Sequence, residues 1–150
     1  MKKLKYILLG GLFALGMTAC DDYLDVNTDP DNPTAETATP EVRLTWIQNF
    51  FEYAWSSASM RSSQITGVLT QTSTTSANGL LAKWDPGQGS ATTPYQNWYI
   101  GAAVNIDPLI TAAEAVGANH YAGAAHTIKA MGFMMMLDLF GEIPYHQAFT

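Results

Sequence analysis

Residues 118–145 read ANHYAGAAHTIKAMGFMMMLDLFGEIPY. Within them Tyr121, Ala125, Ile128, Gly132, Met135 and Leu139 recur at three- and four-residue spacing, which lines them along one side of an α-helix. The repeat stops at Phe140-Gly141, and Gly117 stands just before it; a glycine is a fitting helix terminator because it alone enters the left-handed backbone region freely. Small residues at Gly123, Ala124 and Gly132, and at Ala102 upstream, allow helices to cross closely. The cluster Met131, Met134, Met135 and Met136 supplies adaptable filling for a helix buried on most sides.

Upstream, the same periodicity continues. Thr93-Pro94 opens a helix with a hydroxyl cap and a proline in the first turn, and Trp98, Ala102, Asn105 and Leu109 carry it towards Val116. Pro108 either kinks this helix or restarts it with Asp107 as the capping residue. Thr39-Pro40-Glu41 repeats the opening, and Leu44, Ile47, Phe51, Ala54 and Ala58 mark a helix reaching about Ser59. Met60, Ile65, Val68 and Leu69 predict a second, shorter helix, fading into the hydroxyl-rich run 70–76. Residues 72–93, punctuated by Asn78-Gly79, Asp85-Pro86-Gly87 and Gly89-Ser90, read as a long loop. No stretch alternates with period two, so the expected fold is all-α: helical hairpins of tetratricopeptide-like type with long inter-helix loops. Repeat arrays need about three repeats and terminal caps, so the chain is expected to be part of a longer protein.

The other end is an address. Lys2, Lys3 and Lys5 precede an apolar run from Tyr6 to Met17 and then Thr18-Ala19-Cys20. That run falls short of the ~20 residues a membrane-spanning helix needs, whereas it fits a cleaved signal peptide over 1–19. Cys20, the only cysteine in the 150 residues, cannot form an intramolecular disulfide or a multi-thiolate metal site. Its placement after small residues resembles a bacterial lipoprotein box, in which it becomes the acylated first residue.

The charges divide unevenly. The whole chain carries 7 basic and 13 acidic residues; without residues 1–19, which hold three lysines, the balance is 4 against 13, or −9. Asp21, Asp22, Asp25, Asp29, Asp31, Glu36 and Glu41 all precede Arg43, so residues 20–38 read as an acidic, extended tether before a nearly neutral helical domain at 39–150. Without a basic surplus the phosphate neutralisation that dominates nucleic-acid binding has no source. Asp25, Asn27, Asp29, Asp31 and Glu36 match positions 1, 3, 5, 7 and 12 of a calcium loop, but Pro30 occupies the glycine position, so a solvated linker is the better reading.

Taken in order, Cys20, CDDYLDVNTDPDNPT at 20–34, WYIGAAVN at 98–105 and MLDLFGEIPY at 136–145 resemble the SusD/RagB family of outer-membrane nutrient-binding lipoproteins, particularly its SusD-like subgroup. The resemblance implies a surface-exposed, lipid-anchored protein on tetratricopeptide-like helices. Such a protein delivers glycans or other nutrients to a TonB-dependent outer-membrane β-barrel transporter, and binds without hydrolysing. Acidic residues beside the lipidated cysteine likewise resemble a surface-display signal.

Nothing in the residues argues for a catalyst. There is no G-x-S-x-G, H-E-x-x-H or Gly-rich phosphate loop, and no cofactor is expected. His120 and His126 lie six apart, about 240° around a helix, and so share no metal-binding face. Sugar binding asks for aromatic faces with amides and carboxylates on loops held by a rigid scaffold. The 78–97 segment offers these: Trp84 foremost, with Asp85, Gln88, Tyr95 and Asn97, and also Asn78 and Lys83. Trp46, Phe50, Phe51, Tyr53 and Trp55 are expected to be packing residues, and Trp98 structural. Two other classes stay open: a docking scaffold for proteins, which Trp84→Ala would leave unaffected, and a lipid-anchored glycan hydrolase, in which one carboxylate substitution would abolish turnover.

Overall fold

A computed structural model describes residue 34 and residues 37–70 and 83–149, except for the side chain of Gln88. Cys20, the signal peptide, the calcium-like spacing and Asn78 lie outside them. The chain divides into two units, Met1–Ala38 and Thr39–Thr150. In the first, the described residues form a turn in which the Ala38 amide donates to the Thr34 carbonyl at 3.0 Å.

The second unit is all-α, with no strand among the described residues. Helix α1 spans Pro40–Ile65, α2 Thr92–Gln96, α3 Ile106–Ala115 and α4 Asn119–Phe140. Between α2 and α3 the backbone runs on through a wide π-helical stretch, Asn97–Ala102, and a 3-10 turn, Ala103–Asn105. Helix α1 packs against α2, the π stretch and α4, while α3 lies along α4. The predicted α1 stripe holds: Ile47, Ala54 and Ala58 are buried, with Leu44 and Phe51 packed against them.

Three boundaries differ from the sequence reading. Helix α1 does not stop near Ser59, and the separate helix expected from Met60 does not exist. Ser57 donates its hydroxyl to the Ala54 carbonyl at 3.0 Å and Ser56 to that of Tyr53 at 3.3 Å. Those hydroxyls are thus satisfied inside the helix and do not break it, and Val68 and Leu69 lie exposed beyond its end. The long loop ends at Gly87 rather than Thr93, because Gln88–Ala91 already form a 3-10 turn leading into α2, where Pro94 occupies a tolerated first-turn position. Finally, Pro108 marks a restart, but the capping position is Asn105 and Asp107 lies in the first turn of α3.

The core is centred on Trp98, which is fully buried. Its ring meets Phe51 at 6.1 Å and Phe133 at 5.2 Å between centroids, both edge-on. It also lies directly over Gly132, where an added Cβ would strike the six-membered ring. Gly101 does the same for Phe50. Gly132 therefore sits at a close crossing as expected and Ala102 is fully buried, whereas Gly123 is exposed with open space beside it and Ala124 is only partly buried.

The methionine cluster divides by face. Met135 and Met136 fill the core, but Met131 and Met134 are exposed. The packing expected of the α1 aromatics holds for Phe50 and Phe51 only; Trp46 (54%), Tyr53 (58%) and Trp55 (40%) are exposed. The reason is the helix itself: neighbours in an aromatic-rich run point different ways, and the stripe at 44, 47, 51, 54 and 58 takes the buried side.

Candidate functional site

The segment before α2 carries the exposed tryptophan. Trp84 is 75% exposed and is the only described non-glycine residue with a positive φ, at 59°. A bulky residue in that left-handed region costs about 1–2 kcal/mol relative to ordinary backbone. Asp85 follows it, exposed, and Pro86 restricts Asp85 to extended backbone. Behind this tip the chain is anchored to α1: Arg61 donates from Nε to the Ser90 carbonyl and from Nη1 to the Ser57 carbonyl at 3.1 Å. Burial pushes the Arg61 guanidinium below its usual pKa.

The other candidates are placed differently. Tyr95, 39% exposed, stacks on Tyr99 at 4.6 Å and meets Phe140 edge-on at 5.8 Å. Asn97 turns its amide back to the Thr93 carbonyl at 2.9 Å, which leaves its side-chain oxygen available. Gln88 opens the 3-10 turn. The structure thus gives a solvent-facing pair, Trp84 and Asp85, and a second pair, Tyr95 and Asn97, on the α2–π segment; the rings against Tyr95 are Tyr99 and Phe140, not Trp84.

Tyr99 joins that segment to the corner after α4. Its hydroxyl donates to the Pro144 carbonyl at 2.9 Å, and burial raises its pKa, which keeps it a donor. At Gly141 the backbone turns left-handed (φ 75°), ending α4 and releasing Glu142-Ile143-Pro144-Tyr145. Tyr145 then packs edge-on against Phe133 at 4.7 Å. Tyr99→Phe is expected to cost about 0.5–1.5 kcal/mol, the net worth of one hydrogen bond, and to speed amide exchange at 141–145 while sparing α1. Equal exchange in both proteins would show that the corner holds without Tyr99.

Two hollows escaped the sequence reading. One, of about 610 Å³, is bounded by Phe133, Met134, Leu137, Glu142, Ile143 and Tyr145. The other, of about 460 Å³, lies at the start of α1 between Glu41, Val42, Thr45, Trp46 and Asn49. There the Trp46 indole donates to the Gly101 carbonyl at 3.1 Å. The Glu41 carboxyl is held below the usual carboxylate range, first by a hydrogen bond from the Thr39 hydroxyl. Thr39 thus occupies the expected capping position, but its side chain caps no backbone amide. The signal for Trp46 was its offset from the buried stripe.

His120 lies exposed against Tyr121, with ring centroids 4.2 Å apart. His126 is also exposed, beside Lys129, whose ammonium pairs with Asp107 at 2.6 Å. Among the described residues no three His, Cys, Asp or Glu side chains gather as metal ligands. No helix among them is long and apolar enough to cross a membrane.

Packed helices around a buried tryptophan, with a hydrogen-bonded corner after α4, define an all-α scaffold. Residues 31–150 match the family model for SusD-like proteins, described as starch-binding associating with outer membrane, and the chain belongs to that family. Membership implies glycan binding in association with the outer membrane, in a family of binding proteins rather than typical enzymes. Neither a curated protein nor a solved structure matches the chain.

Proposed function

We propose that this chain is a cell-surface lipoprotein, anchored through Cys20, that binds a glycan or related nutrient and hands it to a TonB-dependent outer-membrane transporter, without catalysis. The binding surface is the loop and helix opening that carry Trp84, Asp85, Gln88, Tyr95 and Asn97. The observation that carries this reading is Trp84: an indole with three quarters of its surface in water, held in a costly backbone conformation on a segment tied to α1 through Ser90. Strain of that kind persists where surrounding structure enforces it, and exposed loop aromatics are what pyranose rings stack on. Acidic residues 21–36 suit a tether, since anionic headgroups repel them and lift the domain from the membrane.

Two experiments test it. Purification of the full-length lipoprotein from outer membranes is expected to bring down a stoichiometric TonB-dependent β-barrel. Recovery alone, or with soluble proteins, would replace the transporter role by a docking scaffold. In titrations with a soluble glycan panel, Trp84→Ala is expected to weaken binding about tenfold or more, the order of one lost stacking contact. Its thermal midpoint should not change, because the side chain packs on almost nothing.

A further inference from the structure

The buried stripe of α1 has an exposed counterpart. Val42, Trp46, Asn49, Tyr53, Ser56 and Met60 follow one another at alternating four- and three-residue steps, so they form a single line along the helix, and every one of them is exposed. Two of the six are aromatic, Trp46 and Tyr53, seven residues apart and therefore separated by about 10.5 Å along the axis. Asn49 lies between them, and Ser56 follows.

Trp46 is not a free surface ring. Its indole nitrogen is committed to the Gly101 carbonyl at 3.1 Å, and its ring leans on Phe50 at 4.8 Å and 43°. Phe50 in turn is seated on the bare backbone of Gly101, where a Cβ would collide with it. A side chain fixed on two sides with 54% of its surface still open is a preorganised platform, which loses little freedom when something stacks on it. The adjoining hollow of about 460 Å³ lies within the range of small-ligand sites, about 300–1,000 Å³, and brings Glu41, Thr45 and Asn49 to its edge. The Thr45 hydroxyl proton is used by the Glu41 carbonyl, leaving that oxygen as an acceptor, and the Asn49 amide offers both donors and an acceptor.

We propose that this face of α1 is a second glycan-binding surface, on which Trp46 and Tyr53 stack two sugar rings of one extended, β-1,4-linked chain while Asn49 hydrogen-bonds the hydroxyls between them. The glycan class rests on the reading of the preceding section; the site and the chain shape do not. A helix sets its aromatics on a straight line, and about 10.5 Å is the span of about two pyranose units in a flat, ribbon-like β-1,4 chain. A coiled α-1,4-glucan would need a concave arc. A partner helix is the less fitting occupant, because a helix seam calls for aliphatic residues in successive positions, and Asn49 and Ser56 interrupt this one.

The test is titration calorimetry of the detergent-solubilised full chain with cellohexaose and with maltohexaose, using Trp46→Ala, Tyr53→Ala and Trp84→Ala. Cellohexaose affinity is expected to fall about tenfold or more in the Trp46 and Tyr53 variants and to survive in Trp84→Ala. Tyr53→Ala guards against misfolding, since that ring is 58% exposed. Unchanged cellohexaose binding in a folded Tyr53→Ala, or cellohexaose binding that depends on Trp84 alone, would overturn the α1 surface and leave the glycan reading standing. No binding of either sugar, or of any glycan in the wider panel, would overturn both. Self-association of the sugar-free protein that Tyr53→Ala abolishes would assign the face to a second copy and overturn the proposal.

Discussion

Trp98→Ala is expected to destabilise the helical unit by about 3–5 kcal/mol, the range for truncating a fully buried tryptophan. For a unit of this size that lowers the thermal midpoint by on the order of 10–20 °C. Three elements meet at that ring: it is contributed by the π stretch, Phe51 approaches from α1, and Gly132 and Phe133 lie beneath it on α4. Removing it strips contacts from all three, and the surrounding helices cannot close the gap without tilting. The indole nitrogen has no partner in the core, so truncation gives back a small part of the loss. Calorimetric or circular-dichroism melting decides the matter; a loss below about 1 kcal/mol would mean that the ring is not the centre of the packing.

Gly132→Ala should expose the same contact from the other side. In an open helix alanine is better than glycine by about 1 kcal/mol. Here the new methyl group enters the space of the Trp98 ring, and overpacking of that kind costs about 1–3 kcal/mol. The single substitution is therefore expected to destabilise. In a Trp98→Ala background the methyl finds a cavity, so the same change should become stabilising by up to about 1 kcal/mol. A reversal of sign between the two backgrounds is the expected signature. If Gly132→Ala were neutral in both, the tryptophan would not lie against that backbone.

Much of this architecture could be read beforehand, for a reason visible at particular positions. Leu44, Ile47, Phe51, Ala54 and Ala58 announced α1 because helical spacing and burial coincide there, and Gly117 and Gly141 announced the ends of α4 because their backbone is left-handed. The continuation of α1 past Ser59 is hidden because Met60, Ile65, Val68 and Leu69 read as the stripe of a separate, shorter helix. The π stretch left no mark in the residue pattern at all. Of the stretches that carry the family resemblance, the corner at 136–145 has a role the structure makes physical: Tyr99 holds Pro144 and Phe133 holds Tyr145. The candidate site was legible in its chemistry but not in its grouping. Trp84 emerged as the exposed ring it was expected to be, Tyr95 joined an aromatic cluster, and Trp46, read as packing, holds its ring half in water.

The wide turn at Asn97–Ala102 gives this chain a tolerance that ordinary helices lack. Within six residues it turns Trp98, Tyr99, Gly101 and Ala102 inward, a broader face than regular winding presents. A wide turn holds one residue more than an α-turn in the same length. Removing a single residue there would let the segment relax into regular helix while the residues downstream keep about the same angular register. Insertions and deletions elsewhere in α1 or α4 would break the core register outright; at this one place the backbone already contains the slack, so length changes between relatives can be absorbed beside the core tryptophan instead of only in the loops.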